Sequence, residues 1–206
     1  MLSLFRIIIH VCCLSPLAWL AWVLLSGDES QLGADPIKEI QHFLGFSALT
    51  ILLIMFILGK VFYLLKQPQL QVLRRALGLW AWFYVVLHVY AYLALELGYD
   101  FSLFVQELVN RGYLIIGAIA FLILTLMALS SWSYLKLKMG KWWFYLHQLG
   151  YYALLLGAIH YVWSVKNVTF SSMLYLILSI MILCDALYGL FIKRKGRSTS
   201  AHTGKD

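Results

Sequence analysis

Apolar residues run along this chain in long unbroken stretches separated by short polar connections, with none of the period-two alternation of a half-buried strand. A helix that crosses a bilayer needs about 20 mostly apolar residues. Six such stretches stand at about 5–25, 43–65, 77–97, 112–131, 144–164 and 169–192. The pattern predicts an all-α integral membrane protein, a six-transmembrane-helix bundle over residues 1–192 followed by a basic tail at 193–206. The first stretch competes with a signal-peptide reading. It is longer than an ordinary signal-peptide core, and LLSGDESQ after it lacks a small-x-small cleavage pattern, so a retained helix is expected. No internal repeat is visible, nor the pair of broken helices with matched polar interruptions that marks many transporters.

Composition agrees with this class: 63% of residues are hydrophobic and 12% charged, and the mean hydropathy is +0.83. These values lie far outside soluble averages. Charge adds an orientation. Arg6, Lys60, Lys66, Arg74, Arg75, Lys136, Lys138, Lys141 and the basic tail fall on one set of alternating connections. Of the 16 Lys and Arg residues only Lys38, Arg111 and Lys166 fall on the other. Both termini are therefore expected in the cytoplasm. The net charge of +7 reads as this orientation signal, and no groove-reading basic surface supports a nucleic-acid partner. The acidic stretches from Asp28 to Glu39 and from Glu96 to Glu107 belong to the outer side. The eight tryptophans cluster toward helix ends, as in an interfacial aromatic belt. Cys12, Cys13 and Cys184 form no CxxC or spaced metal motif and read as small apolar residues.

Histidine changes the picture most. An imidazole inside a bilayer costs free energy unless it is paired or ligated. His202 in the tail and His42 at the outer end of the second helix have water or headgroups to satisfy them, and His10 reads as a hydrogen-bonded packing residue. His88, His147 and His160 have no such outlet. His147 lies near the cytoplasmic end of the fifth helix, and His160 about 20 Å farther along it at 1.5 Å per residue. His88 lies near mid-membrane. Neutral imidazole is the usual axial ligand of b-type haem, and the separation on the fifth helix is that of two stacked haems. Two features complicate this. Thirteen helical steps leave His147 and His160 about 140° apart, so they cannot face one neighbour on a straight helix. Two bis-histidine haems would also need a fourth ligand. Depth favours His160 over His147 as the partner of His88. A proton relay, a divalent-metal path and simple hydrogen-bonded histidines remain the competing readings.

The segments LGADPIKEIQHFLG (32–45), RRALGLWAW (74–82), LHVYAYLALELG (87–98) and LHQLGYYALLLGAIHYVWSVK (146–166) resemble the MsrQ (YedZ) family, within the ferric reductase-like transmembrane superfamily. The resemblance runs in order over nearly the whole chain. It implies that His88, His147 and His160 are haem-iron ligands, that the cofactor is haem b in one or two copies, and that FMN is a further candidate. It also implies a multi-pass protein of the bacterial inner membrane. Such a protein passes electrons from the quinone pool or a cytoplasmic flavin reductase to the periplasmic molybdopterin enzyme MsrP, which reduces methionine sulfoxide in oxidised proteins. The second reading within the superfamily is a self-contained ferric or oxygen reductase, and the third is a haem-free histidine-dependent transporter. Where the family usually reads HFTGR, this chain has His42-Phe43-Leu44-Gly45-Phe46, without the hydroxyl and the positive charge. No phosphate-cradling glycine motif assigns flavin residues, and no nicotinamide fingerprint is present. Arg74 and Arg75 read as positive-inside residues ahead of a role in binding a haem carboxylate.

Overall fold

The computed structural model describes residues 2–27, 29–165 and 167–202, with side chains at 2–27, 30–165 and 167–192. Asp28 and Lys166, and the side chains of His202 and of the basic tail, lie outside that description. Every long apolar stretch is helical. In chain order the helices are α1 (Leu2–Ser26), α2 (Pro36–Leu64), α3 (Leu73–Ala91), α4 (Phe101–Asn110), α5 (Gly112–Ser130), α6 (Ser133–Met139), α7 (Lys141–Ser164) and α8 (Phe170–His202). No strand occurs among the described residues.

Local chemistry sets several boundaries. Asp35 caps α2 by accepting from the Lys38 backbone N–H at 3.2 Å, and Pro36 takes a first-turn position whose N–H would lack a partner anyway. The second helix therefore begins at Pro36, well before the expected start at 43. Gly140 sits at φ +52° between α6 and α7, a conformation that a residue with a Cβ resists. Past Ala91, α3 widens into a π-helical turn, Tyr92–Glu96. The last helix continues to His202 rather than stopping at the expected 192.

Among the described residues five helical stretches are long and apolar enough to cross a membrane: Leu2–Ser26, Pro36–Leu64, Pro68–Glu96, Gly112–Ser130 and Phe170–Ile192. At 24 residues α7 matches them in length. Its two histidines, Gln148 and several tyrosines lower its apolarity. The core is built around α2, in which 56% of the most apolar window is buried, against 6% in α8. Packing is closest between α2 and α3 and between α5 and α7, and α8 covers α7. Ala81, Ala153 and Ala158 are almost fully buried at these contacts, as expected where small residues let membrane helices approach.

Polar side chains join the helices at depth. The Tyr84 hydroxyl donates to the Cys13 carbonyl at 2.7 Å, tying α3 to α1. Trp82 Nε1 donates to Thr125 Oγ1 at 3.1 Å, and Thr50 and Tyr175 share a hydrogen bond of 2.7 Å between α2 and α8. Nearer the end of α2, Lys60 pairs with Asp185 of α8 at 2.6 Å.

Candidate metal centre

His88 on α3 and His160 on α7 meet in the middle of the bundle. Their ring centroids are 6.2 Å apart with planes at 82°. Each ring is held from behind by a backbone carbonyl. His88 Nδ1 lies 2.9 Å from the Gln41 oxygen on α2, and His160 Nδ1 lies 2.8 Å from the Tyr113 oxygen on α5. A carbonyl oxygen only accepts, so each Nδ1 carries its hydrogen and Nε2 is left as the nitrogen with a free lone pair. A hydrogen bond of this kind fixes the tautomer and ring orientation of a metal-binding histidine.

The spacing suits one metal between the rings. An imidazole–metal bond of about 2.0 Å, plus about 1.1 Å from nitrogen to ring centre, would put two imidazoles on one metal about 6.2 Å apart centre to centre. Among the described residues no cluster of three or more His, Cys, Asp or Glu side chains could hold a bare cation. Two imidazoles suffice only for a metal whose other ligands arrive with it, as in a planar macrocycle. The cavity that His88 and His160 help to line holds about 100 Å³. A whole tetrapyrrole needs more, so Leu49, Leu52, Phe121 and Leu124, which line it, would have to swing aside.

Two glycines let the rings approach. A Cβ on Gly45 would lie 3.1 Å from His88 Nδ1, and one on Gly117 would lie 2.8 Å from His160 Nδ1. In both cases the glycine follows by one helical turn the residue whose carbonyl holds the ring, and the histidine follows that residue by 47 positions. The α2–α3 and α5–α7 pairs are therefore copies of one arrangement. A shift of 72 residues carries Gly45 to Gly117 and His88 to His160, and likewise Ala48 to Ala120, Leu52 to Leu124 and Ala81 to Ala153. It also carries Met55, which packs on Gly78, to Met127, which packs on Gly150. The expectation of no internal repeat is thus corrected: about a handful of small and ligating positions recur, and the lipid-facing residues between them have diverged too far to form a visible motif.

The third expected histidine lies elsewhere. His147 Nδ1 contacts the Trp143 carbonyl of its own helix at 3.0 Å, and the two rings stack at 3.9 Å. The shift of 72 pairs it with Arg75, which is exposed. His10 accepts from Trp80 Nε1 at 2.9 Å, as a packing histidine should. His42, half-buried near the start of α2, also lines the cavity together with His88 and His160. Its position near a helix end concealed this. The visible sign is its place one turn beyond Lys38 and three residues before Gly45 on α2.

Between α4 and α5, Arg111 pairs with Glu107 and lies 3.2 Å from the Tyr113 hydroxyl. The hydrogen bond to Tyr113 raises the Arg111 pKa, so this cation stays charged beside the residue whose carbonyl holds His160.

Residues 44–158 match the family model described as the ferric reductase like transmembrane component. Over all 206 residues, covering 100% of both chains, the protein is 99% identical to the "Protein-methionine-sulfoxide reductase heme-binding subunit MsrQ" of Pasteurella multocida (strain Pm70). The chain belongs to the MsrQ family of ferric reductase-like transmembrane proteins. The matched region of that superfamily begins one residue before Gly45 and ends two short of His160, so it spans nearly all of both copies of the arrangement.

Proposed function

We propose that this protein is a membrane electron-transfer subunit that holds haem b between His88 and His160 and delivers electrons to the periplasmic enzyme MsrP. The reading rests on the 6.2 Å separation of two imidazoles whose Nδ1 atoms are already held by carbonyls. A relative of 99% identity carries the name of a heme-binding subunit of a protein-methionine-sulfoxide reductase, which points the same way. The bound haem would supply reversible one-electron chemistry. The chain's own part is to present two oriented Nε2 lone pairs, exclude water with apolar walls, and hold the rings from behind so that the imidazoles need not turn, while the apolar walls open.

In this reading α7 is the sixth membrane crossing, both termini face the cytoplasm, and the protein resides in the bacterial inner membrane. His147, at the inner end, is the ligand available to a second haem, and its counterpart Arg75 means that such a haem would draw one imidazole from this pair of positions. The quinone pool or a cytoplasmic flavin reductase would be the donor. FMN has no assigned residues.

A dithionite-reduced spectrum of the purified protein tests the cofactor: a b-type α-band is expected, and its absence would leave a haem-free transporter as the better reading. His88→Ala and His160→Ala should each abolish most of the haem in the cavity, whereas His147→Ala should leave that haem in place. Retained haem in both of the first two variants would remove the assignment. Mixing pre-reduced protein with MsrP should accelerate haem reoxidation. No acceleration would favour a self-contained ferric or oxygen reductase, the reading that the superfamily name also admits.

A further inference from the structure

The short helix α6 contributes no residue to the core. It packs against α5 and α7, and Leu135 and Met139, one helical turn apart, are its half-buried positions. What it exposes is apolar and basic at once. Leu137 is 84% exposed, and Trp132, Tyr134 and Trp142 are exposed beside it. Lys136, Lys138 and Lys141 stand exposed among them. The sequence carries no acid between Glu107 and Asp185, and these two are already paired, with Arg111 and Lys60. Lys138 and Lys141 have no ion pair among the described residues, and Lys136 lies over the Trp143 ring at 4.5 Å.

A leucine between two lysines, on a helix that covers nothing, keeps its apolar surface hydrated in water. The same segment is at ease where hydrocarbon meets headgroups. Tryptophan and tyrosine favour that depth, and a lysine there lays its stem on apolar surface while its ammonium reaches the headgroups. The patch is continuous with the lipid-facing sides of α5 and α7, where Leu126, Leu129 and Phe144 are exposed. Its uncompensated ammonium groups complement lipid of negative charge. We infer that α6 and its flanks bind anionic phospholipid at the inner face of the membrane. Leu137 and the aromatics enter the acyl boundary, and Lys136, Lys138 and Lys141 meet the phosphates. The face rests on the orientation proposed above, and nothing in the inference depends on haem. The contact also reaches into the bundle. Trp143, under Lys136, donates from Nε1 to the Ser130 carbonyl of α5 at 3.1 Å and stacks on His147. A lipid that seats α6 thereby steadies the inner ends of α5 and α7.

Hydrogen exchange of the full chain in lipid discs tests this. In discs of phosphatidylcholine with phosphatidylglycerol, the α6 amides should exchange about tenfold more slowly than in phosphatidylcholine alone. The amides of α4, whose charged side chain is Glu107, should not slow. Lys138→Gln combined with Lys141→Gln should remove most of the difference while α2 and α3 stay protected, and raised salt should shrink it in the wild type. Both leaflets of a disc carry the anionic lipid, so the result is independent of the orientation of the chain. Equal exchange of α6 by the wild type in the two discs would overturn the inference, and that measurement needs no variant to fold. If α6 is slow in both, apolar insertion alone accounts for the patch; if it is fast in both, the surface is left to an acidic protein. A double variant that keeps the full difference would also overturn the inference, since the lysines would then not be what meets the phosphates.

Discussion

At Gly117 an added Cβ would lie 2.8 Å from His160 Nδ1 and 3.0 Å from its Cε1; at Gly45 the nearest approach to His88 is 3.1 Å. The neighbour in each case is a ring held by a carbonyl, so it cannot yield without losing that bond. Overpacking of this kind costs about 1–3 kcal/mol. Gly117→Ala should therefore lower haem per protein by more than half, and Gly45→Ala by less. Unchanged occupancy in Gly117→Ala would show that His160 does not need this close approach. Tyr84→Phe removes the hydroxyl bonded to the Cys13 carbonyl. Interhelical hydrogen bonds in membranes average about 0.6 kcal/mol, so a small fall in melting temperature with haem occupancy unaltered is expected. His88 and His160 were legible as candidates because each imidazole sits inside an apolar run. Their pairing was only half legible, since depth along a helix says little about which face a ring occupies. The place of His42 in the cavity wall was not legible, because a position near a helix end does not say which way the packing of α2 turns it.

Among the elements, the helices that cross the bundle were readable from run length, and the short ones were not. α4 is ten residues long and too short to span. It forms because Asp100 caps it, accepting from the Leu103 N–H at 2.9 Å, and because its apolar residues share a face. Phe101, Val105 and Val109 remain exposed along that face. Asp100→Ala should cost about 1 kcal/mol locally. Hydrogen exchange should speed up in the first turn of α4 while α2 and α3 stay protected; equally fast exchange throughout would show that the cap supports more than this helix. The π-helical turn after α3 could not be read either, because its sequence, YLALE, is ordinary helix-forming material. At α7 the two kinds of signal disagree. Length favours a crossing, whereas the polar groups that make the helix useful lower its hydropathy.

For the molecule as a whole, orientation follows from charge, and it is testable without the cofactor. A fluorescent protein fused to the C-terminus should fold and fluoresce, and an alkaline phosphatase fused at the same point should stay inactive. The opposite pair of results would invert the proposed topology and place α6 on the outer side. The repeat was not legible as a motif, yet it governs the core: α2 with α3 and α5 with α7 are the two closest helix pairs, and each contributes one ring to the same gap. The repeat is hidden because a lipid-facing position asks only for an apolar residue, whereas a larger residue in place of a glycine under a ring crowds the imidazole.

The link between the two halves has a consequence for covalent continuity. Gly98 and Tyr99 both have positive φ and are followed by the α4 cap, so the chain turns sharply at a point where no core residue is engaged. Each half closes its own hairpin before this point or after it. Each half also holds its own ring, His88 by the Gln41 carbonyl and His160 by the Tyr113 carbonyl. A chain nicked at this turn, or two fragments made separately and inserted into one bilayer, should still bring the two rings to one iron.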